Sequence, residues 1–192
     1  MTGGCTLGAK SMSKMSKKEE IEQTKSEKPL IKIVKYITIL LVCFLIWNIL
    51  FMNTIVPTGS MEDTIMSGDR VLCMRLYGTI ARGDVVVFDN PRGDGYLVKR
   101  VVAIGGDTIN FTDGYFILNG EVQQEEYTKG LSLGINITEE REVPEGEYFL
   151  LGDNRENSLD CRTFDYPFIK KSSIRAKMGL RYYPLNRFGI VD

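Results

Sequence analysis

Three short stretches carry residues that could do chemistry. "PTGSM" (Pro57–Met61) presents Ser60 in a small, flexible turn. "YLVKRVVAI" (Tyr96–Ile104) presents Lys99 inside a β-branched run. "GDNRENSLDCR" (Gly152–Arg162) presents Ser158, Asp160 and Arg162 in a polar loop after an apolar one. The chain of 192 residues has no histidine. That absence removes Ser-His-Asp and Cys-His catalysis and every His-ligated metal site. A serine hydroxyl is a weak nucleophile until a neighbouring base takes its proton. Without imidazole, the best remaining base is a lysine amine kept neutral. Free lysine titrates near 10.4, so a drop of roughly two to three pH units is needed, which apolar burial can supply.

Lys99 suits that requirement. Period-two alternation along Tyr96–Ile104 puts Leu97, Lys99, Val101 and Ala103 on one strand face, with Lys99 its only charge. Arg100 shares the opposite face with Tyr96, Val98 and Val102. A lysine at a sheet edge, its head snorkelling to water, satisfies the same pattern. The Asp160 and Arg162 pair, taken alone, reads equally well as a surface ion pair in a polar loop.

The remaining composition narrows the field. Lys+Arg 24 against Asp+Glu 25 gives a net charge of −1, without the basic footprint of a nucleic-acid binder. Cys5, Cys43, Cys73 and Cys161 form no Cys-x-x-Cys pair, so no zinc or redox motif is present. Of these only Cys73 and Cys161 are placed to share a folded domain, and the sequence leaves their pairing open. No metal and no cofactor are expected.

The elements that must position these residues come in three segments. Residues 1–35 form a lysine-rich tail in which Lys10, Lys14, Lys17, Lys18, Lys25, Lys28, Lys32 and Lys35 outnumber Glu19, Glu20, Glu22 and Glu27. Tyr36–Val56 carries no charge and has the length of a membrane-spanning helix. It is followed by Val-Pro-Thr rather than by a cleavage site of small residues, which predicts a retained signal anchor. The lysines on its N-terminal side predict a cytoplasmic tail and an outward-facing remainder, 57–192. That remainder reads as β-rich. "DVVVF" (Asp84–Phe88), Tyr96–Ile104 and "EYFLL" (Glu147–Leu151) are strand runs, and Asp113-Gly114 and Asn119-Gly120 are hairpin turns. The expectation is a mostly antiparallel β domain on one transmembrane helix, with at most a brief helix near Thr64.

In this order and behind such an anchor, the stretches resemble the type I signal peptidase family, membrane-bound serine proteases that remove signal peptides. "PTGSMEDT" is similar to the family's nucleophile box, "GDVVVF" to the strand box that follows, "KRVVAIGGD" to the general-base box and "GDNRENSLDCR" to the last box. "YYPLNRFG" (Tyr182–Gly189) resembles its closing strand. The resemblance implies twisted antiparallel sheets forming a partial barrel, with Ser60 as nucleophile and Lys99 as general base. It implies an oxyanion hole from the Ser60 N–H and the Thr58 hydroxyl, and a Ser158 hydroxyl bonded to Lys99. Asp160 and Arg162 would brace the loop, and Met61 is a candidate for the substrate groove. The implied substrates are secretory precursors cut after small residues in the A-x-A pattern. The implied setting is the outer face of the cell membrane in contact with the lipid bilayer, with a monomer expected and no nucleic acid. Thr58 stands where many members have Ser, Asp63 where Pro is common, and Cys161 where Ser is frequent. The short chain between Ser60 and Lys99 resembles the compact, single-span Gram-positive form. The alternative from another class is a catalytically silent, membrane-anchored module that binds exported segments; it predicts loss of Ser60 or Lys99, and both are present.

Overall fold

The computed structural model describes residues 29–133, 137 and 139–191. Most of the lysine-rich tail and Cys5 therefore lie outside the described residues. The chain divides between Trp47 and Asn48 into two compact units.

The first contains most of α1 (Pro29–Leu50), which has no buried residue and is long and apolar enough to cross a membrane. Its 22 residues span about 33 Å at about 1.5 Å each, against a hydrocarbon core of about 30 Å. The helix differs from the expected span Tyr36–Val56 at both ends. It starts earlier because Pro29 is suited to a first helical position and Lys32 and Lys35 are good helix formers. It stops at Leu50 because the next residues, though equally apolar, pair as a strand.

That strand, β1 (Phe51–Ile55), runs antiparallel to β2 (Arg70–Met74), with Phe51 opposite Met74 and Ile55 opposite Arg70. The other strands are β3 (Val85–Asp89), β4 (Tyr96–Ile104), β5 (Thr108–Thr112), β6 (Tyr115–Leu118), β7 (Glu121–Val122), β8 (Arg141–Glu142), β9 (Glu147–Leu151), β10 (Ile169–Lys170), β11 (Ile174–Tyr183) and β12 (Gly189–Ile190). Among the described residues, eight strands form one sheet along the open path β1-β2-β11-β3-β4-β9-β10, with β12 on β11. A second sheet has the order β7-β6-β5-β8. All the paired strands are antiparallel, as expected, and the open path leaves the larger sheet short of a closed barrel.

Two hydrophobic clusters explain why β3 reads as an unbroken apolar run. Val86 and Phe88 enter the larger one, while Val85 and Val87 enter the smaller, so both strand faces are buried. Both predicted hairpins form. Asp113 and Gly114 have φ of 53° and 81°, and Asn119 and Gly120 have 52° and 81°, the two positive values that a tight I′ turn requires.

Two local expectations are corrected. The stretch around Thr64 is a series of turns rather than a helix. "YYPLNRFG" is not one strand: β11 ends at Tyr183 because Pro184 has no N–H to donate, a 3₁₀ turn covers Leu185–Arg187, and β12 folds back onto β11. Cys73 and Cys161 are both reduced and buried, in different clusters.

Candidate active site

Lys99 sits opposite Val86 across the β3–β4 ladder, and facing residues share a side of the sheet. Since Val86 belongs to the larger cluster, that pairing turns Lys99 inward, as the alternation predicted. Its side chain is buried, the residue keeping 2% of its surface. Burial lowers its pKa from 10.5 to about 8, against the opposing charges of Asp160 and Asp153, while Arg162 adds to the lowering. Lys99 is thus not a snorkelling edge residue.

The turn after β1 brings Ser60 to this amine. Val56 N–H donates to Asp69 O (2.9 Å) and Gly68 N–H to Val56 O (2.8 Å), which holds the turn against the start of β2. Lys99 Nζ donates to Ser60 Oγ at 2.7 Å and to the Val98 carbonyl at 2.9 Å. Thr58 Oγ1 donates to the same Ser60 Oγ at 3.4 Å. Ser60 is 9% exposed, and its N–H donates to no group among the described residues. A hydroxyl in contact with a largely buried amine that is half neutral at about pH 8 can lose its proton to that amine.

The Gly152–Arg162 loop closes over this pair. Gly152 must be glycine: a Cβ there would lie 2.1 Å from Ser158 Oγ and 2.6 Å from the Ser60 carbonyl oxygen. Asp160 and Arg162 are fully buried, with Nε to Oδ1 at 2.8 Å and Nη2 to Oδ2 at 2.9 Å. The Gly152 N–H also donates to Asp160 Oδ2 at 3.0 Å, and Arg162 Nη2 to the Arg155 carbonyl at 2.8 Å. Burial pushes the Asp160 carboxyl up, but the Arg162 hydrogen bonds and charge outweigh it and hold the pKa below its ordinary value. A surface ion pair is therefore the wrong reading of Asp160 and Arg162.

Two expected roles are not seen in the geometry. Ser158 lies beside Gly152, but no hydrogen bond joins its Oγ to Lys99, whose amine donates to Ser60 Oγ and Val98 O. Met61 has no exposed surface and packs with Ile65 and Val71 in the smaller cluster, so its side chain lies beneath the surface rather than in a groove.

Other residues that hold the site together were not singled out from the sequence. Arg100 Nε and Nη2 bond Asp153 Oδ1 and Oδ2 at 3.0 and 2.8 Å, and its Nη1 donates to Gly83 O at 2.8 Å. Its guanidinium lies 4.1 Å from the Tyr127 ring centre. Thr64 Oγ1 donates to Asp153 Oδ2 at 2.6 Å. The Asp153 carboxylate thus ties β4, the turn after Ser60 and the last loop to one point. Asn154 bonds the backbone on both sides of Ser60. The signal available in sequence was an arginine next to Lys99 on the opposite face and a Gly-Asp-Asn run directly after a buried strand.

A serine hydroxyl bonded to a buried lysine amine, on antiparallel sheets and with no histidine in the chain, is the pairing that a Ser–Lys hydrolase requires. Residues 30–183 match the family described as signal peptidase, peptidase S26, and the chain belongs to that family. It is 30% identical over 185 residues to a signal peptidase I of Bacillus licheniformis, covering 90% of this chain and 99% of that protein. It is 32% identical over 159 residues to a signal peptidase I P of Bacillus subtilis subsp. natto, covering 77% and 85%. A crystal structure of a signal peptidase I from Enterococcus faecalis V583 aligns at 30% identity and a TM-score of 0.41, covering 52% of this chain and 96% of that one.

Proposed function

We propose that the chain cleaves the signal peptides of secretory precursors, with Ser60 as nucleophile and Lys99 as general base. Membership of the signal peptidase family makes it a serine peptidase acting on signal peptides. The observation that carries the residue assignment is the 2.7 Å contact between Ser60 Oγ and an amine lowered to about 8.

In this reading neutral Lys99 takes the Ser60 proton as Oγ adds to the scissile carbonyl carbon. The oxyanion meets the Ser60 N–H and the Thr58 hydroxyl. The Lys99 ammonium then gives its proton to the leaving amine, which departs as the new N-terminus of the mature protein. Lys99, neutral again, activates a water that hydrolyses the ester on Ser60. The buried Asp160–Arg162 pair holds the last loop in place behind the amine. The precursor is cut after small residues at the first and third positions before the bond.

α1 anchors the protein in the lipid bilayer, with the lysine-rich residues before it on the cytoplasmic side and the β-rich domain after it as the outward-facing catalytic domain. The excess of lysine before the helix supports that orientation. A monomer suffices for this chemistry, since one chain supplies both members of the dyad.

The test is incubation of the detergent-solubilised protein with a secretory precursor, followed by mass mapping of the cut. Ser60→Ala and Lys99→Ala are expected to be folded and inactive. Turnover by either variant would overturn the assignment.

A further inference from the structure

Acyl transfer requires the Ser60 N–H to face the developing oxyanion, so some group must hold that peptide in one orientation. Asn154, 6% exposed, is placed to do so. Its side-chain Nδ2 donates to Gly59 O at 3.0 Å, and its backbone N–H donates to Ser60 O at 3.1 Å. The acceptor is a carbonyl in each case, so the amino side of the carboxamide must be the one that faces Gly59.

Gly59 O and the Ser60 N–H are the two ends of one peptide unit, and it is not among the cis bonds of the described chain. In a trans peptide the C=O and N–H point in opposite directions. Bonding Gly59 O to Asn154 therefore turns the Ser60 N–H away from that side chain, and this N–H has no acceptor among the described residues. Gly59 is the residue most able to let this peptide rotate, because glycine tolerates backbone conformations closed to others. A rotated peptide would present a carbonyl oxygen to the oxyanion in place of a donor. Asn154 is itself held: Asn157 N–H donates to its carbonyl at 3.1 Å. On either side of it, Lys129 N–H donates to Asp153 O and Arg155 N–H to Lys129 O, both at 2.8 Å.

We propose that Asn154 is a positioning residue of the oxyanion hole, its carboxamide locking the Gly59–Ser60 peptide so that the Ser60 N–H stays directed at the oxyanion. This rests on Ser60 being the nucleophile. The residue does not touch the reacting atoms; it acts through the peptide it holds.

The test uses full-length Asn154→Asp and Asn154→Ala proteins in detergent with a signal-peptide substrate. Asp keeps the shape but has no donor for Gly59 O at neutral pH. Both variants should lose kcat by roughly 10- to 100-fold, less than outright removal of an oxyanion donor at the upper end. KM should stay within about twofold, and in Asn154→Ala the ascending limb of the pH profile should not move, because Lys99 keeps both its hydrogen bonds and no charge is added. A peptide aldehyde supplies a second readout. Ser60 Oγ adds to its carbonyl carbon, the proton passes to Lys99, and the former carbonyl oxygen becomes an oxyanion. Its affinity should fall in proportion to kcat, while that of the matching peptide alcohol, which forms no adduct, should not. Wild-type kcat in Asn154→Asp overturns the proposal. So does an equal loss of aldehyde and alcohol affinity, or unfolding of both variants, since either shows a merely structural role. An active Ser60→Ala would instead sink the nucleophile assignment, so the two failures are distinguishable.

Discussion

Replacing Lys99 by methionine should abolish cleavage and change how the stability of the protein depends on pH. A pKa of about 8 in the fold against 10.5 otherwise corresponds to about 3 kcal/mol acting against the folded state wherever the amine is charged. The sign follows from proton counting. Between about 8 and 10.5 the unfolded chain binds a proton that the folded chain has released, so wild-type stability rises with pH through that window. Below about 8 the full penalty is present, and above 10.5 it vanishes. Methionine has similar bulk and no charge, so the variant lacks this contribution at every pH. It also removes the hydrogen bonds that Lys99 donates to Ser60 Oγ and Val98 O, a loss of about 1 kcal/mol each that does not depend on pH. The variant should therefore be about 1 kcal/mol more stable than wild type near pH 7 and less stable near pH 10.5. Equilibrium denaturation of both full-length proteins in the same detergent, followed by near-ultraviolet circular dichroism, measures the difference. Taking the difference cancels the other groups that titrate in this range. Stability curves that run parallel from pH 7 to 10.5 would show that Lys99 is not held at a lowered pKa.

Asp160→Asn should destabilise the protein by about 3–5 kcal/mol, because it leaves Arg162 buried and without its counter-charge. In the fraction that remains folded, the ascending limb of activity should move to lower pH, since Asp160 is the leading charge that raises Lys99; denaturation midpoints and a pH–rate profile check both effects. Gly152→Ala should lose cleavage by at least about tenfold, because its Cβ would push against the Ser60 carbonyl and the Ser158 side chain; initial rates on a precursor measure this.

Lys99 was legible because the alternation of one strand is local information. Around the amine its face, Leu97-Lys99-Val101, is otherwise apolar, and its partner Val86 is buried on the same side; a bulge between Val101 and Ala103 takes Ala103 off that face, where the alternation had put it. The hairpins at Asp113-Gly114 and Asn119-Gly120 were legible for the same reason, the turn conformation being written in adjacent residues. The end of α1 was not. Phe51–Ile55 continues the apolar run, and only pairing with Arg70–Met74 makes it a strand. Arg100 and Asp153 are 53 residues apart, and Asn154 meets Gly59 across 95, so nothing local announces either contact. Ser158 illustrates a further limit: the sequence brought it to the site, but its side-chain direction follows from packing against Gly152.

The central claim is that the amine in contact with Ser60 is a base neutral enough to work near physiological pH. Lysine Nζ resonances in full-length protein labelled with ¹⁵N-lysine, with Lys99 assigned by its loss in Lys99→Met, report that titration directly. The predicted result is a midpoint at about 8 that coincides with the ascending limb of kcat/KM. A midpoint near 10.5, or a limb that does not follow the amine, would contradict it.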